Sequence, residues 1–382
     1  MSNTYHQRFE YLDGIRGVAA LIVVLSHFKN AFFDALNTST TYAFIWGRLN
    51  YFFLTGGFCV ELFFVLSGFV LAYNSFNRPH FLTKQWSKRL YRLFVPVFIT
   101  SIVYFIFSSN NLFYFQELCK IHYSDWASSH WVIKYTVVQF IQRCVYDFML
   151  FSDWQFVMNI NSSLWTIPIE LYWSYVLFVL FFIVNKLTKM IWKNIAIIIY
   201  TLSVLSFMSF KGIEYGVLFI GGTLLALNYK FIVNTYNTKM VNLIFIIIIC
   251  ILTYIVECNW LNQVEFTFFS YKSILALLYI GIALRSSLIQ KLFSFSIITW
   301  LGKISFSLYL IHILIIGSIG SKLYVLLPYL RHDFGLLILL LSTLLFSFSF
   351  AHIFTLCIDE PAMKLFDKYY PKMVNIVSFR KL

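Results

Sequence analysis

Long apolar runs dominate this chain and decide what it can fold into. The runs are roughly 15 to 24 residues long, the length that an α-helix needs to cross a hydrocarbon layer, and Lys/Arg clusters and Trp/Tyr residues bound them. Of the 382 residues 60% are hydrophobic and only 12% are charged, whereas about a quarter of an ordinary soluble domain is charged. We therefore predict an all-α fold, a polytopic integral membrane helical bundle, and exclude a soluble globular domain.

The apolar runs predict about ten transmembrane helices. They lie near residues 17–36, 56–76, 93–109, 166–185, 195–210, 213–228, 241–256, 270–285, 296–318 and 336–357. With both termini cytoplasmic, roughly two-thirds of the Lys and Arg residues fall on the cytoplasmic side, as the positive-inside rule requires. One long external segment, residues 110–165, has room for a shallow or re-entrant helix.

A single membrane domain accounts for the whole chain. The sequence contains no internal repeat and no low-complexity linker, so we treat residues 1–382 as one domain with a core at about 8–360 and expect no fused extracytoplasmic domain. The first apolar run has the length of a full span and no small-residue cleavage signature follows it. This pattern indicates a retained first helix rather than a cleaved signal peptide.

The net charge and the cysteines exclude two further classes of function. The formal charge is +13, but the basic residues are scattered between apolar runs, so membrane topology explains them better than nucleic-acid binding. The six cysteines form no C-x-x-C pair and mostly lie in or beside apolar runs. We therefore expect no disulfide framework and no metal site.

Ionisable residues of the first span form a column on one helix face. Arg16 and His27 are eleven residues apart, so they return to nearly the same face, roughly 16 Å apart along the axis, and Asp13 shares that face. The column predicts an ion pair near the cytoplasmic edge and a buried imidazole near mid-membrane that can act as a base. The alternative is a histidine that only hydrogen-bonds a neighbouring helix.

Two acidic residues lie in other spans. Glu61 stands seven residues before Gly68, on nearly the same face, and we expect it to point into the bundle rather than toward lipid. Glu170 follows Pro168 at the start of an inward-running helix, which sets its carboxylate in the outer half of the membrane. Glu170 either orients an imidazole or polarises a hydroxyl, or it forms a structural pair with an arginine or a Trp indole.

The ninth span carries a second histidine with polar neighbours. Ser305, Tyr309 and His312 share a face, because offsets of four and seven residues return near the same angle, so His312 has candidate partners on its own helix. His352 and the acidic pair Asp359 and Glu360 close the last span and fit a helix stop as well as a site. We assign no chemistry to these last three residues.

The inner loop after the second span is strongly basic. It contains Lys84, Lys88, Arg89 and Arg92, with Pro96 following. Such a cluster suits the phosphates of a cytoplasmic donor, because arginine binds phosphate with two parallel hydrogen bonds. The positive-inside rule alone also places basic residues there.

Four motifs, in order along the chain, resemble the membrane acyltransferase-3 family. They are YLDGIRGVAALIVVLSHF at 11–28, with an arginine, ten residues and a histidine; GFCVELFFVLSGFVLA at 57–72; SSLWTIPIELYW at 162–173; and LGKISFSLYLIH at 301–312. The Arg89, Arg92 and Pro96 sequence is similar to the basic loop after the family's second helix. The motifs span nearly the whole chain.

The resemblance implies a multi-pass enzyme of the bacterial inner (plasma) membrane. Such an enzyme moves an acyl group, most often acetyl, from cytoplasmic acyl-coenzyme A to a hydroxyl of a cell-surface or secreted glycan. The implied partners are the lipid bilayer, the glycan or lipid-linked glycan acceptor and, since many relatives carry a fused hydrolase-like domain, a separate protein of polysaccharide assembly. No nucleic acid and no metal are implied.

We predict two groups of site residues from the motifs. The donor-binding residues are Asp13, Arg16, Arg89 and Arg92. The catalytic residues are His27, Glu61 and Glu170, and the further candidates are Ser305, Tyr309 and His312. In this hypothesis His27 either deprotonates the acceptor hydroxyl or accepts the acyl group itself, and one of the glutamates orients or charge-balances its imidazole.

Two alternatives from other classes of protein stay open. A transporter or flippase for a lipid-linked glycan also uses intramembrane Arg, His and Glu, although the sequence shows no inverted repeat or paired broken helices. A structural subunit of a polysaccharide assembly complex would use the same residues as locking pairs between helices. The second alternative predicts that charge-conserving substitutions at Arg16 or Glu170 do little harm.

Overall fold

The computed structural model describes residues 9–32, 56–77, 82–129, 136–150, 161–207, 215–234 and 271–379, together with the single positions 243 and 247. Helices fill nearly all of these residues, and the same ranges contain no β-strand. The all-α class predicted from the apolar runs is therefore confirmed.

The helices of the described ranges follow one another in chain order. They are α1 Glu10–Ala31, α2 Gly56–Asn77, α3 Leu82–Ser109, α4 Phe115–Ile121, α5 Asp125–Ser128, α6 Val137–Leu150, α7 Thr166–Val184, α8 Met190–Phe207, α9 Gly216–Leu227, α10 Tyr229–Asn234, α11 Tyr271–Arg285, α12 Ser287–Phe293, α13 Ser296–Ile315, α14 Ser321–Leu326, α15 Asp333–Phe354 and α16 Glu360–Phe379. Two 3₁₀ turns, Ser162–Trp165 and Pro328–Arg331, and two π turns, Ile316–Gly320 and Thr355–Asp359, adjoin them.

Six helices in the described part of the chain are long and apolar enough to cross a membrane. The pair α11 and α12 adds a seventh candidate span if its 95° bend is counted within one span, and Met190–Thr201 and Gly216–Leu227 are shorter apolar helices. The span predicted near 241–256 lies outside the described residues. A multi-pass membrane bundle is thus supported, while the count of ten and the side on which the termini lie stay predictions.

Two predicted helix boundaries were wrong. The first helix runs from Glu10 to Ala31 instead of 17–36, and the third begins at Leu82 instead of near 93. The basic residues Lys84 and Lys88 are therefore helical rather than part of a loop, because Lys, Arg, Gln and Leu are good helix formers and nothing in this stretch stops the helix. Hydropathy alone places a boundary where the apolar run ends, not where the helix ends.

Glycines set how closely the central helices approach. A Cβ atom on Gly17 would collide with the backbone of α13 at Gly302, and one on Gly302 would collide with the carbonyl oxygen of Asp13. In the same way, a Cβ on Gly68 of α2 would meet the carbonyl oxygen of Phe219 in α9. Small residues thus let α1 pack on α13, and α2 on α9, with their backbones in contact, as is common between membrane helices.

Short helices cover one end of α1 and α13. The backbone N–H of Tyr114 donates to the carbonyl oxygen of Gly317 (2.8 Å), and the Ser124 hydroxyl donates to the carbonyl oxygen of Asn30 (2.6 Å). Helices α4 and α5 are therefore tied to the ends of both longer helices. Both helices belong to the 110–165 segment, for which a shallow or re-entrant position in the membrane stays a prediction, and Trp131 and Trp154 of that segment lie outside the described residues.

Candidate active site

His27 and His312 form a direct hydrogen bond between α1 and α13. Nδ1 of His27 lies 2.7 Å from Nε2 of His312, and the two rings are nearly parallel, at an interplanar angle of 5°. His312 is fully buried, and His27 is partly buried near the end of α1 that α5 covers. We call these two residues the histidine pair and this end of the bundle the histidine end.

The backbone determines the tautomers of the histidine pair. Nδ1 of His312 lies 3.0 Å from the carbonyl oxygen of Leu308, which can only accept, so Nδ1 of His312 carries a proton. In the neutral ring Nε2 is then the acceptor, and Nδ1 of His27 must donate to it. The neutral His27 ring therefore has its lone pair on Nε2, the nitrogen that can act as a base or a nucleophile.

An aromatic side chain of α5 packs against the His27 ring. The indole of Trp126 stacks on it, with the ring centroids 5.2 Å apart and an interplanar angle of 19°. Trp126 in turn meets Phe115 edge to face, at 5.8 Å. Trp126 thus restricts the rotation of the His27 ring, while His312 determines which nitrogen of that ring carries the proton.

Side chains before α7 clamp the stretch of α13 that carries His312. The Asn161 amide donates to the carbonyl oxygen of Leu310 (2.9 Å), and the Tyr309 hydroxyl donates to the carbonyl oxygen of Ser163 (2.6 Å). Because the single Tyr309 proton is used there, the Thr166 hydroxyl must donate to Tyr309 across 2.9 Å. The Tyr309 hydroxyl is therefore committed to holding α7 against α13.

A charged cluster joins three helices at the other end of the bundle. Arg89 of α3 forms an ion pair with Glu170 of α7, and both side chains are mostly buried. Ser67 of α2 lies between them: its hydroxyl donates to Oε1 of Glu170 (2.5 Å) and accepts from Nη2 of Arg89 (2.6 Å). Nε of Arg89 also donates to the Ser174 hydroxyl (3.3 Å), so the guanidinium is held from two sides.

Arg16 and Arg92 add positive charge to the same region. Arg16 lies 3.7 Å from the Asp13 carboxylate and within electrostatic range of Arg92 and Glu170. A cavity of about 820 Å³, counting its open mouth, is lined by all three arginines and by Glu170. We call this cavity the arginine pocket and this end of the bundle the arginine end.

The arginine pocket extends toward the histidine pair. Ser305, Thr166 and Tyr309 line it in addition to the arginines. The ring centroid of Tyr309 lies 6.0 Å from that of His312. Tyr309 therefore stands between the pocket and this imidazole. The pocket lining thus combines three arginines with a tyrosine whose ring packs beside His312.

Comparison with known proteins identifies the family. The family profile Acyl_transf_3, described as "Acyltransferase domain", matches residues 9–358, which include every residue of both polar clusters. The chain belongs to this acyltransferase-3 family. "Protein 2 in picA locus" of Rhizobium radiobacter is 36% identical over 113 residues, 28% of the acyltransferase and 50% of that protein, so the chain spans about half the length of this curated relative. No solved structure matches the chain.

The contacts of Glu61 and Glu170 differ from those expected of groups that orient an imidazole. Glu61 is buried, as predicted, but its carboxylate faces Ser273 and Lys272 of α11. Within the described part of the acyltransferase no hydrogen bond joins Glu61 or Glu170 to a histidine. Glu170 instead adopts the alternative arrangement, an ion pair with an arginine.

One other sequence expectation needs correction. His312 has its hydrogen-bond partners in His27 and the Leu308 carbonyl, not in the side chains of Ser305 or Tyr309 on its own helix. The Ser305 hydroxyl donates to the carbonyl oxygen of Gly302 (2.8 Å), a bond within its own helix. His27 lies in the last two turns of α1, which ends at Ala31, and its depth near mid-membrane stays a prediction.

Several residues of the acyltransferase site were missed by the sequence reasoning. They are Ser67, Trp126, Asn161, Ser163, Thr166 and Ser174. Ser67, Ser163 and Thr166 stand inside quoted motifs, and this was the one signal that pointed to them. Metal chemistry has no support in the described residues, which contain no group of three or more His, Cys, Asp or Glu side chains placed to bind a metal ion.

Proposed function

We propose that this acyltransferase moves an acyl group, most simply acetyl, from cytoplasmic acyl-coenzyme A to a hydroxyl of a cell-surface or secreted glycan. The observation that carries the proposal is the His27–His312 hydrogen bond, because it defines the tautomer of a base, and His312 packs against Tyr309, a wall residue of the arginine pocket. The family membership favours group transfer over the flippase and structural-subunit alternatives. The acceptor is a glycan or lipid-linked glycan, and proteins of polysaccharide assembly are its expected partners.

In this proposal the arginine end faces the cytoplasm of a bacterium and the protein resides in the inner membrane. Residues 1–382 act as one membrane domain of ten spans with both termini inside. The basic side chains of Lys84, Lys88 and Lys303 lie on described helices at the arginine end, and the positive-inside rule favours the cytoplasm for them.

The arginine pocket binds the anionic donor. Arg16 and Arg92 line the cavity, and neither is bound as closely to a carboxylate as Arg89 is to Glu170. Their guanidinium groups are therefore better placed to donate hydrogen bonds to a phosphate. Arg89 is bound to Glu170 and Ser67, and it keeps the pocket wall in place. The acyl arm then extends past Tyr309 toward the histidine pair.

His27 performs the chemistry through Nε2, by one of two balanced routes. As a base it takes the proton of the acceptor hydroxyl, whose oxygen attacks the thioester carbonyl while the C–S bond breaks and the coenzyme A thiolate leaves. As a nucleophile it forms the new C–N bond itself while the C–S bond breaks and the thiolate leaves; the acceptor oxygen then displaces the imidazole, and the freed Nε2 takes the hydroxyl proton. In both routes a positive charge develops on the His27 ring.

His312 supports both routes without touching the substrate. Its Nε2 accepts the Nδ1–H bond of His27, so it stabilises the developing imidazolium and can take that proton. The Leu308 carbonyl keeps the opposite nitrogen of His312 protonated, which leaves Nε2 as the acceptor. We assign His27 as the catalytic residue and His312 as its positioning residue.

The direct test measures O-acetylation of the surface polysaccharide by NMR. Cells that lack the gene are complemented with the wild type, His27→Ala or His352→Ala, at matched membrane abundance. His352 is the control, because it lies on α15 beside Trp300 and does not line the arginine pocket. We expect the wild type and His352→Ala to restore the acetyl signals and His27→Ala to lower them by at least about 10²-fold.

Each other outcome removes a stated part of the proposal. Equal restoration by His27→Ala would take His27 out of the mechanism. Unchanged acetylation after deletion of the gene would contradict the assignment of the surface polysaccharide as acetyl acceptor. That result would favour the flippase alternative.

A further inference from the structure

A π turn interrupts the last candidate membrane helix of the described residues, where it packs against α3 and α13, two helices that line the arginine pocket. The π turn Thr355–Asp359 joins α15 to α16. A π turn inserts one extra residue into an α-helix and so rotates the following side chains by about 100°, and such turns are frequent at functional sites. The rotation decides which way the residue at its end, Asp359, faces.

Contacts on both sides hold the π turn in place. The Thr355 hydroxyl donates to the Ser307 hydroxyl of α13 (2.7 Å), and Nζ of Lys303 forms an ion pair with Glu360 (2.8 Å). Ile358 packs in the same apolar cluster as Leu93, the neighbour of Arg92 on α3. The π turn, with Asp359 at its end, is therefore held between α13 and α3.

Asp359 is a buried residue whose carboxylate keeps one oxygen without a hydrogen bond among the described residues. The residue is 7% exposed, and its Oδ1 atom accepts no hydrogen bond. Its electrostatic neighbours are Arg92, Arg16 and Glu360, and Glu360 is already neutralised by Lys303. The carboxylate thus acts mainly on two arginines of the pocket.

The charges of the arginine pocket show what this carboxylate changes. Asp13 lies beside Arg16, and Glu170 is paired with Arg89. Within the described ranges no carboxylate lies within salt-bridge distance of Arg92. Asp359 therefore offsets the positive charge of Arg92 through space. With Asp359 ionised, three arginines face three carboxylates, and an entering phosphate must compete with a resident negative charge.

We propose that Asp359 is a resident counter-anion of the arginine pocket, which competes with the phosphates of the donor for Arg16 and Arg92. The inference rests on the proposed function and extends it to regulation of donor binding. Donor and product both carry these phosphates. Without a nearby carboxylate, the arginines would bind the product, coenzyme A, tightly. The Asp359 carboxylate lowers the affinity for donor and product and so allows coenzyme A to leave.

The test is equilibrium binding of radiolabelled acetyl-coenzyme A to purified protein in lipid nanodiscs, at low and at physiological salt. Asp359→Asn should lower the Kd about threefold to tenfold at low salt, because a negative charge beside the phosphates is removed. The gain should shrink as salt increases. In turnover, the KM for the donor should fall while kcat does not rise, a split that a folding defect would not produce.

Three matched variants separate this effect from general ones. Asp359→Glu keeps the charge and should keep the wild-type Kd. Asp367→Asn removes the same charge from α16 at an exposed site, where Asp367 pairs with Lys88 (2.6 Å), and should also leave the Kd unchanged. In an Arg92→Gln background, Asp359→Asn should change the Kd much less.

The outcomes distinguish this inference from the proposed function. Equal or weaker binding by a folded Asp359→Asn protein would overturn the inference and leave the donor assignment standing. If the wild type binds no acetyl-coenzyme A, the donor assignment fails; inorganic pyrophosphate is then the probe of the same arginines. The inference survives only if Asp359→Asn binds pyrophosphate more tightly than the wild type, and it is overturned by equal affinity.

Discussion

The arginine pocket and the histidine pair are both built on α1, yet they are held together in different ways. Arg16 and His27 lie eleven residues, or roughly 16 Å, apart on this helix. Around the arginine pocket, full charges from α3 and α7 bind each other and a serine of α2. The histidine pair is instead a neutral hydrogen bond whose direction is determined by a backbone carbonyl.

This difference indicates that the arginine end contributes mainly to the stability of the fold and the histidine end mainly to the chemistry. A buried charge that loses its partner destabilises the fold strongly, so the Arg89–Glu170 pair contributes to folding as well as to the pocket. A neutral imidazole that loses its partner leaves only an unpaired polar group, a smaller loss. Substitutions at the arginine end should therefore reduce stability and activity together, and those at the histidine end mainly activity.

The largest expected effect is on stability, in Glu170→Gln. This change leaves Arg89 mostly buried without its carboxylate, and it should lower the free energy of unfolding by about 3 kcal/mol. The measurement is the thermal unfolding midpoint of purified protein in detergent, together with membrane abundance. Asp367→Asn breaks an exposed ion pair and should change the stability by less than about 1 kcal/mol.

A double substitution sharpens this result. Replacing both charges, as Arg89→Met with Glu170→Met, removes the unpaired group and should recover most of the lost stability. Activity should stay low, because a charge and a wall of the arginine pocket are missing. A Glu170→Gln protein that unfolds at the wild-type midpoint would erase the distinction between the two regions.

The next effect, on activity, is expected at His312. His312→Ala removes the acceptor for Nδ1–H of His27 and should lower the transfer rate on the order of 10²-fold. His312→Gln offers an amide oxygen to the same N–H and should retain more of the rate, with a thermal midpoint closer to the wild type than that of Glu170→Gln. Acetyl transfer per unit of membrane protein is the measurement, with His352→Gln as the control; equal rates for Ala and Gln would show that accepting this bond does not matter.

The same comparison shows how far the sequence could predict this protein. The apolar runs predicted the helical class and most boundaries of the long apolar helices, since the signal for a span is local. The motifs also pointed to the residues of both polar regions, because ionisable groups are rare in apolar helices. These predictions depend on each residue's own type and neighbours along the chain.

What could not be predicted is which of these residues meet. His27 and His312 are 285 positions apart, and Arg89 and Glu170 are 81 apart, so no helical periodicity relates them. Glu61 and Glu170 looked alike in sequence, but helix packing turns one toward Ser273 and the other toward Arg89. Only the packing of α1 on α13, of α3 on α7 and of α2 on α11 decides these pairs.

The smallest expected effect concerns Ser67, which sequence reasoning missed because serines are common in apolar helices. Several buried serines donate within their own helix, as the Ser101 hydroxyl does to the carbonyl oxygen of Val97 (2.9 Å). Ser67 instead bridges Arg89 and Glu170, so Ser67→Ala should cost about 1–2 kcal/mol of unfolding free energy and lower activity less than His312→Ala does. Ser101→Ala, also buried, should stay within about 0.5 kcal/mol of the wild type. Equal thermal midpoints for the two alanine variants would mean that the ion pair holds without its serine, and that the arginine end depends on charge alone.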